Sequence, residues 1–181
     1  DLASTAPIEC IAIAEAKFNR RLRSRHQELA LATTAIDASY QVAIPSTVLA
    51  VKRMWRTDSP FPPLRAASLE FVHARQAAGQ LALYYAGEDA KWRFDGTGSV
   101  AGVLYRNIPA LSGSNTTNWL LTAQPGMYLY ACLAEMYIFI GSNDKAMLFE
   151  AKADAIINEF QRTEMADQYS GPIAVRVEGV V

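Results

Sequence analysis

Apolar side chains recur at Ile8, Ile11, Ala14, Phe18 and Leu22, the three-to-four spacing of one buried helical stripe. Pro7 suits a first turn and Ser4 or Thr5 can cap it, so a helix is predicted over about 7–25. Its acids, Glu9 and Glu15, come early; Lys17, Arg20, Arg21, Arg23 and Arg25 come late, the order that the helix dipole favours. From about 30 to 110 the period shortens. Apolar runs at 29–36, 40–44, 81–85, 91–94 and 100–105 are separated by turn residues and predict strands. Asp95-Gly96-Thr97-Gly98 reads as a hairpin turn, because Gly supplies the positive φ of a tight reversal. Pro60, Pro62 and Pro63 mark a loop, and a short helix is expected at 65–78 with Leu69 and Val72 on one face.

The helical period returns near 117. Thr116 or Thr117 is expected to cap a short helix holding Trp119 and Leu120, and Pro125-Gly126 to bend the chain. A central helix follows over 127–140, closed by Gly141. The last helix, about 144–166, sets Phe149, Ala153, Ile156, Ile157 and Phe160 against a charged opposite side. After Gln168 the alternation of Ile173, Val175 and Val177 with Ala174, Arg176 and Glu178 predicts an extended tail. The expected fold is therefore α+β: a helical frame (about 7–25 and 117–166) with an inserted small antiparallel β subdomain (about 30–110). These form one domain, 1–168, followed by an extended tail, 169–181.

Composition narrows the function classes. The 181 residues are 51% hydrophobic and 19% charged, a globular rather than a disordered balance. Seventeen basic against eighteen acidic side chains give a net charge of −1. Proteins that grip phosphates carry a basic excess, so the balance speaks against a dedicated DNA binder. Cys10 and Cys132 form no C-x-x-C pair, and His26 and His73 stand apart, so neither a structural zinc site nor any cofactor is expected. Two buried free thiols suit a reducing compartment, with a disulfide between them left open. The most apolar window, 127–140, is interrupted by Glu135 and falls short of the roughly 20 residues of a membrane span. The chain starts at Asp1 with neither an initiator Met nor a signal-peptide pattern, which predicts that Asp1 is not the translational start.

Several constellations invite chemistry. Gly96-x-Gly98-x-x-x-Gly102 lacks the strand-to-helix context and spacing of a phosphate loop. The cluster Lys17 to Arg25 is read as a solvated helix end or a set of intersubunit salt bridges, with contact to DNA phosphates as the lesser alternative. Paired carboxylates raise glycoside hydrolysis. Glu9 and Glu15 fall on different helix faces, whereas Glu135, a lone acid in an apolar helix, is the sharper candidate for a carboxyl with a raised pKa. Satisfaction by neighbouring Tyr or Arg groups is the favoured reading of Glu135. Trp119, Tyr128, Tyr130, Tyr137 and Phe139 are read as core and subunit contact, two roles that remain open together. No catalytic residue is assigned. The terminal strand is read either as an edge strand of its own fold or as an addition to a neighbour's sheet.

Thr117-Asn118-Trp119-Leu120-Leu121, Pro125 with Tyr128-Leu129-Tyr130, and Leu133-x-Glu135 resemble the T-N-W-L-L … P-x-x-Y-L-Y … L-x-E signature of the head-to-tail adaptor (connector) family of tailed phages. Ala14-Glu15-Ala16-Lys17-Phe18-Asn19-Arg20-Arg21-Leu22-Arg23 is similar to that family's A-E-A-x-x-N-R-x-L-R helix. Tyr84-Tyr85 and Ile108-Pro109-Ala110-Leu111-Ser112 resemble its Y-Y … I-P-x-L-S segment, split here around Asp95, and Ser170-Gly171-Pro172 resembles its tail junction. The chain departs from the pattern at 59–80, and carries Gly126 where an acid is common.

The resemblance implies a non-enzymatic virion subunit in the neck, assembled in the host cytoplasm. Such subunits form a ring of twelve under the portal protein, extend the DNA channel and offer a platform to tail or nozzle proteins. It implies contacts with neighbouring adaptor subunits and transient contact with packaged double-stranded DNA, and no membrane. It also places portal binding on the tail, through Tyr169, Pro172, Ile173, Val175, Arg176 and Val177. The basic cluster would face the channel or a neighbouring subunit. A muramidase-like hydrolase using Glu135 or Glu15, and a DNA-binding subunit led by Arg20 to Arg25, are the rival expectations.

Overall fold

A computed structural model describes residues 2–58 and 62–168. The chain divides into a helical unit (1–25 and 110–181) and a β unit (26–109) inserted between its two segments.

In the helical unit, α1 (Leu2–Arg21), α3 (Trp119–Ala123), α4 (Pro125–Ile140) and α5 (Asn143–Gln168) surround an apolar centre. That centre comprises Ala14, Phe18, Leu22, Leu120, Met127, Tyr128, Ala131, Ala134, Ala146, Ala153 and Ile157. Alanines at four α4 and α5 positions of this set let the helix backbones approach closely. Helix α1 starts five residues earlier than Pro7, which lies inside it, and ends at Arg21 rather than Arg25. The early stop has an identifiable cause. Arg23 Nη1 donates to the carbonyls of Asn19 (2.8 Å) and Leu22 (2.5 Å), and the Arg25 backbone N–H leaves the helix for Glu164 Oε2 at 2.9 Å. Helix-terminal carbonyls are thus served by a side chain. Ile8, expected on the buried stripe, is 66% exposed.

Asn118, not Thr116 or Thr117, caps α3: its Oδ1 accepts from the Leu121 N–H at 2.8 Å. Pro125 occupies the first turn of α4, where its missing N–H costs nothing. Gly141 ends α4 at φ 82°, a left-handed conformation that a side chain would strain.

The β unit holds two sheets. β1 (Glu28–Ala35), β7 (Ser99–Arg106) and β3 (Val48–Arg56) form an antiparallel sheet in the order β1-β7-β3. β2 (Gln41–Ala43), β6 (Lys91–Phe94), β5 (Tyr84–Glu88) and β4 (Arg65–Ala66) form the second, in the order β2-β6-β5-β4, with β4 and β5 parallel. Ile36, Val42, Met54, Leu64, Ala82, Trp92, Phe94, Val100 and Leu104 make its core. Helix α2 (Leu69–Arg75) is shorter than the expected 65–78. Ser68 Oγ caps it by accepting from the Phe71 N–H, and Val72 is fully buried. Residues 59–61 of the proline loop lie outside the described residues.

The segment Asp95 to Gly98 is not a hairpin. β6 and β7 belong to different sheets, so the turn carries the chain from one sheet to the other. Gly96 is required there by space: a Cβ would sit 2.4 Å from the Gln80 carbonyl oxygen.

Candidate functional site

The segments that carry the family resemblance in the helical unit meet at one buried carboxylate. Glu15 is 6% exposed, and its Oε1 accepts from the Leu111 N–H at 2.8 Å and from the Tyr128 hydroxyl at 3.1 Å. Asn118 Nδ2 donates to the same hydroxyl at 2.8 Å, while its Oδ1 caps α3. The ring of Phe18 meets Tyr128 edge-on at 5.0 Å. α1, the 110–116 segment, the α3 cap and α4 are therefore joined by a buried chain of side chains, each using the polarity that it would otherwise have to bury unsatisfied. Burial pushes the Tyr128 phenol well above its ordinary value; the Asn118 hydrogen bond opposes this and the Glu15 charge adds to it. The phenol stays protonated, as a donor to Glu15 must.

This junction corrects the expectation about acids. Glu135 is only half-buried, Glu9 is exposed, and Glu15 is the enclosed carboxyl. Enclosed and hydrogen-bonded, Glu15 does not present an acid to a solvent-borne glycan. Burial first, then Cys10, Glu15 and Glu135, push the half-buried Cys132 thiol up to about 11. Cys10 is raised by burial and by Glu135 and Glu9. Both thiols are therefore poor nucleophiles near neutral pH.

The basic cluster faces α5. Lys17 pairs with Glu150 at 2.7 Å and Asp154 at 3.5 Å, Arg21 with Asp154, and Arg25 with Asp167 at 2.9 Å. Arg23 is turned to its own helix end, as described above. Arg20 is exposed and has no carboxylate within reach among the described residues. Partly exposed pairs of this kind contribute little stability each, yet four cations are already engaged within the unit.

Of the aromatic stripe, Tyr128 is core. Trp119 is half-buried and tilts over Phe160 at 6.3 Å. Tyr130 and Tyr137 each stack with Phe149, at 6.1 and 5.3 Å, with Lys152 over Tyr130 and Lys145 over Tyr137. Phe139 is 66% exposed.

The β unit contains a node that sequence reasoning missed. Asp95 is fully buried. Its Oδ1 accepts from the N–H groups of Leu83 (2.8 Å) and Tyr84 (2.9 Å), and its Oδ2 from Arg75 Nε and Gln80 Nε2, both at 3.3 Å. The Arg75 guanidinium also covers the rings of Phe71 and Tyr84. The one available signal was an Asp before Gly, which reads equally well as an exposed turn.

Among the described residues, no three His, Cys, Asp or Glu side chains gather as a metal site, and no helix is long and apolar enough to cross a membrane. Tyr169, Pro172, Ile173, Val175, Arg176 and Val177 lie outside the described residues.

No curated protein matches the chain significantly. A family model described as SU10 adaptor protein matches residues 3–176, spanning the helical unit, the inserted β unit and the beginning of the tail. Matched over nearly its whole length, the chain belongs to the SU10 adaptor protein family, in keeping with the head-to-tail adaptor resemblance of its sequence.

Proposed function

We propose that this adaptor forms a ring of twelve copies beneath the portal in the virion neck. The ring lengthens the DNA channel and offers its far side to tail or nozzle proteins. The observation that carries the reading is the Glu15 junction: the A-E-A helix, the segment following I-P-A, the N-W-L-L cap and the P-x-x-Y helix are the parts that hold the helical unit together. The resemblance thus concerns how a rigid wall is built and not a surface motif. The enclosure of Glu15 and the pairing of the basic cluster with α5 favour assembly over hydrolysis or tight DNA binding.

In this reading residues 169–181 bind the portal through Tyr169, Pro172, Ile173, Val175, Arg176 and Val177. Ring formation in this reading waits for a portal, because contacts of that segment with the portal contribute binding free energy only on docking. Arg20 is the cation of the cluster left to face a neighbouring subunit or passing DNA. Assembly takes place in the host cytoplasm before the particle is complete. Deleting 169–181 is expected to abolish co-sedimentation with the portal protein of the same genome while leaving the far-UV circular dichroism and melting temperature unchanged. Portal binding at the full-length level by that truncation contradicts the assignment.

A further inference from the structure

We propose that the outward strip Leu129, Leu133, Met136 and Ile140 of α4 is covered by a second copy of this chain, which receives it in the apolar recess bounded by Ile8, Ile11 and Leu111. The choice of a second copy rests on the adaptor reading above. The strip follows from spacing: intervals of four, three and four place these residues on one helix face. The other side of α4 already packs inward through Met127, Tyr128, Ala131 and Ala134. Among the described residues the strip is largely open, with Leu129 at 56%, Met136 at 39% and Ile140 at 68% exposure and Leu133 half-buried between them.

A helix with one side in solvent ordinarily carries charge there. α5 mixes exposed Glu159, Arg162 and Asp167 with exposed Met147, Leu148 and Met165, whereas Glu135 is the single charged residue of α4. The strip is about 16 Å long at the rise of an α-helix and exposes on the order of 400 Å² of apolar surface, within the range of a monomer's largest patch, which is often functional. That is about the apolar half of a standard interface of roughly 800 Å² per partner.

The same unit offers a differently shaped apolar surface. Ile8, Ile11, Leu111, Ser112, Gly113 and Thr116 line an open recess of about 400 Å³. A cavity of about 150 Å³ already holds a benzene-sized group, so the recess has room for more than one aliphatic side chain. Ridge and recess on one chain make a heterologous contact, the kind that propagates from copy to copy and closes into a ring.

Sedimentation equilibrium of the full chain across a concentration series, with and without the portal protein, tests this. The double substitution Leu133→Lys and Met136→Lys is expected to weaken self-association about tenfold or more, with an unchanged circular-dichroism melt. Leu148→Lys, more exposed than Met136 but on α5, is expected to leave association unaltered. A photo-crosslinking residue placed at 133 should join the α1 or 110–116 peptide of another copy, which decides the matter even if the double variant folds poorly. Wild-type association by the double variant, or a crosslink confined to the same chain, overturns the proposal. So does a wild type that stays monomeric at every concentration with and without portal. Self-association through the strip without portal binding would leave this proposal standing and remove the adaptor-ring reading.

Discussion

Asp95→Ala is expected to destabilise the β unit by about 3–5 kcal/mol, the largest single-residue effect in the chain. The carboxylate is wholly enclosed and accepts four hydrogen bonds. Truncation leaves the Leu83 and Tyr84 N–H groups, already out of water, without an acceptor, and strips the Arg75 guanidinium of its partner. Those groups belong to the start of β5, the end of α2 and the loop between them. The turn from one sheet to the other would therefore lose its anchor. Asp95→Asn keeps one acceptor oxygen for the two backbone donors, but turns an NH₂ toward Arg75 and Gln80, and should fall between the wild type and Ala. Urea denaturation followed by amide exchange at residues 83 and 84 reads this directly. Exchange there should accelerate while amides of α4 keep their protection, because the two units have separate cores. Equal protection of both regions in Asp95→Ala would show that the node contributes little.

Glu15→Ala should have the second-largest effect, about 3 kcal/mol on the helical unit. It leaves the Leu111 N–H and the Tyr128 hydroxyl without their shared acceptor and opens a small void beside Phe18. Glu15→Gln retains an oxygen of the same reach and is expected to lose less than half as much. That contrast separates a hydrogen-bond role from a role for the charge itself. The diagnostic signal is amide exchange at Leu111 together with the stability of α3, since Asn118 is held by Tyr128 while it caps that helix. A Glu15→Gln variant as unstable as Glu15→Ala would mean that the negative charge, rather than the acceptor, is what the junction needs.

Much of the fold could be read from the chain, for identifiable reasons. β6 at Lys91–Phe94, the body of β7 and the bulk of α4 and α5 declare themselves by period and by flanking turn residues. Strand β3 does not. Lys52 and Arg53 interrupt its apolar run, and two register shifts against β7 break the alternation that a reader of sequence looks for. The end of α1 was set by Arg23 and Glu164, partners that no local pattern announces.

Three acids were misjudged, Glu135 for one reason and Glu15 and Asp95 for another. Glu135 stands alone in an apolar run, which signals burial only when a helix is covered on every side, and α4 is not. Glu15 sits in an ordinary amphipathic helix, and its enclosure depends on Leu111 and Tyr128, about a hundred residues away in sequence. Asp95 likewise gathers its donors from Arg75 to Tyr84, so its Asp-Gly pair looked like a surface turn. Glu15, Asn118 and Tyr128 all lie within the segments of the adaptor resemblance, although their contact was not legible in the sequence.

Native mass spectrometry of the full chain, alone and mixed with the portal protein from the same genome, reads portal-dependent ring assembly in one experiment. Low-order species are expected alone and, with portal present, a single complex in which twelve copies of this chain are added to one portal ring. Absence of any complex with the portal, or binding of scattered copies without a defined ring, would contradict such assembly.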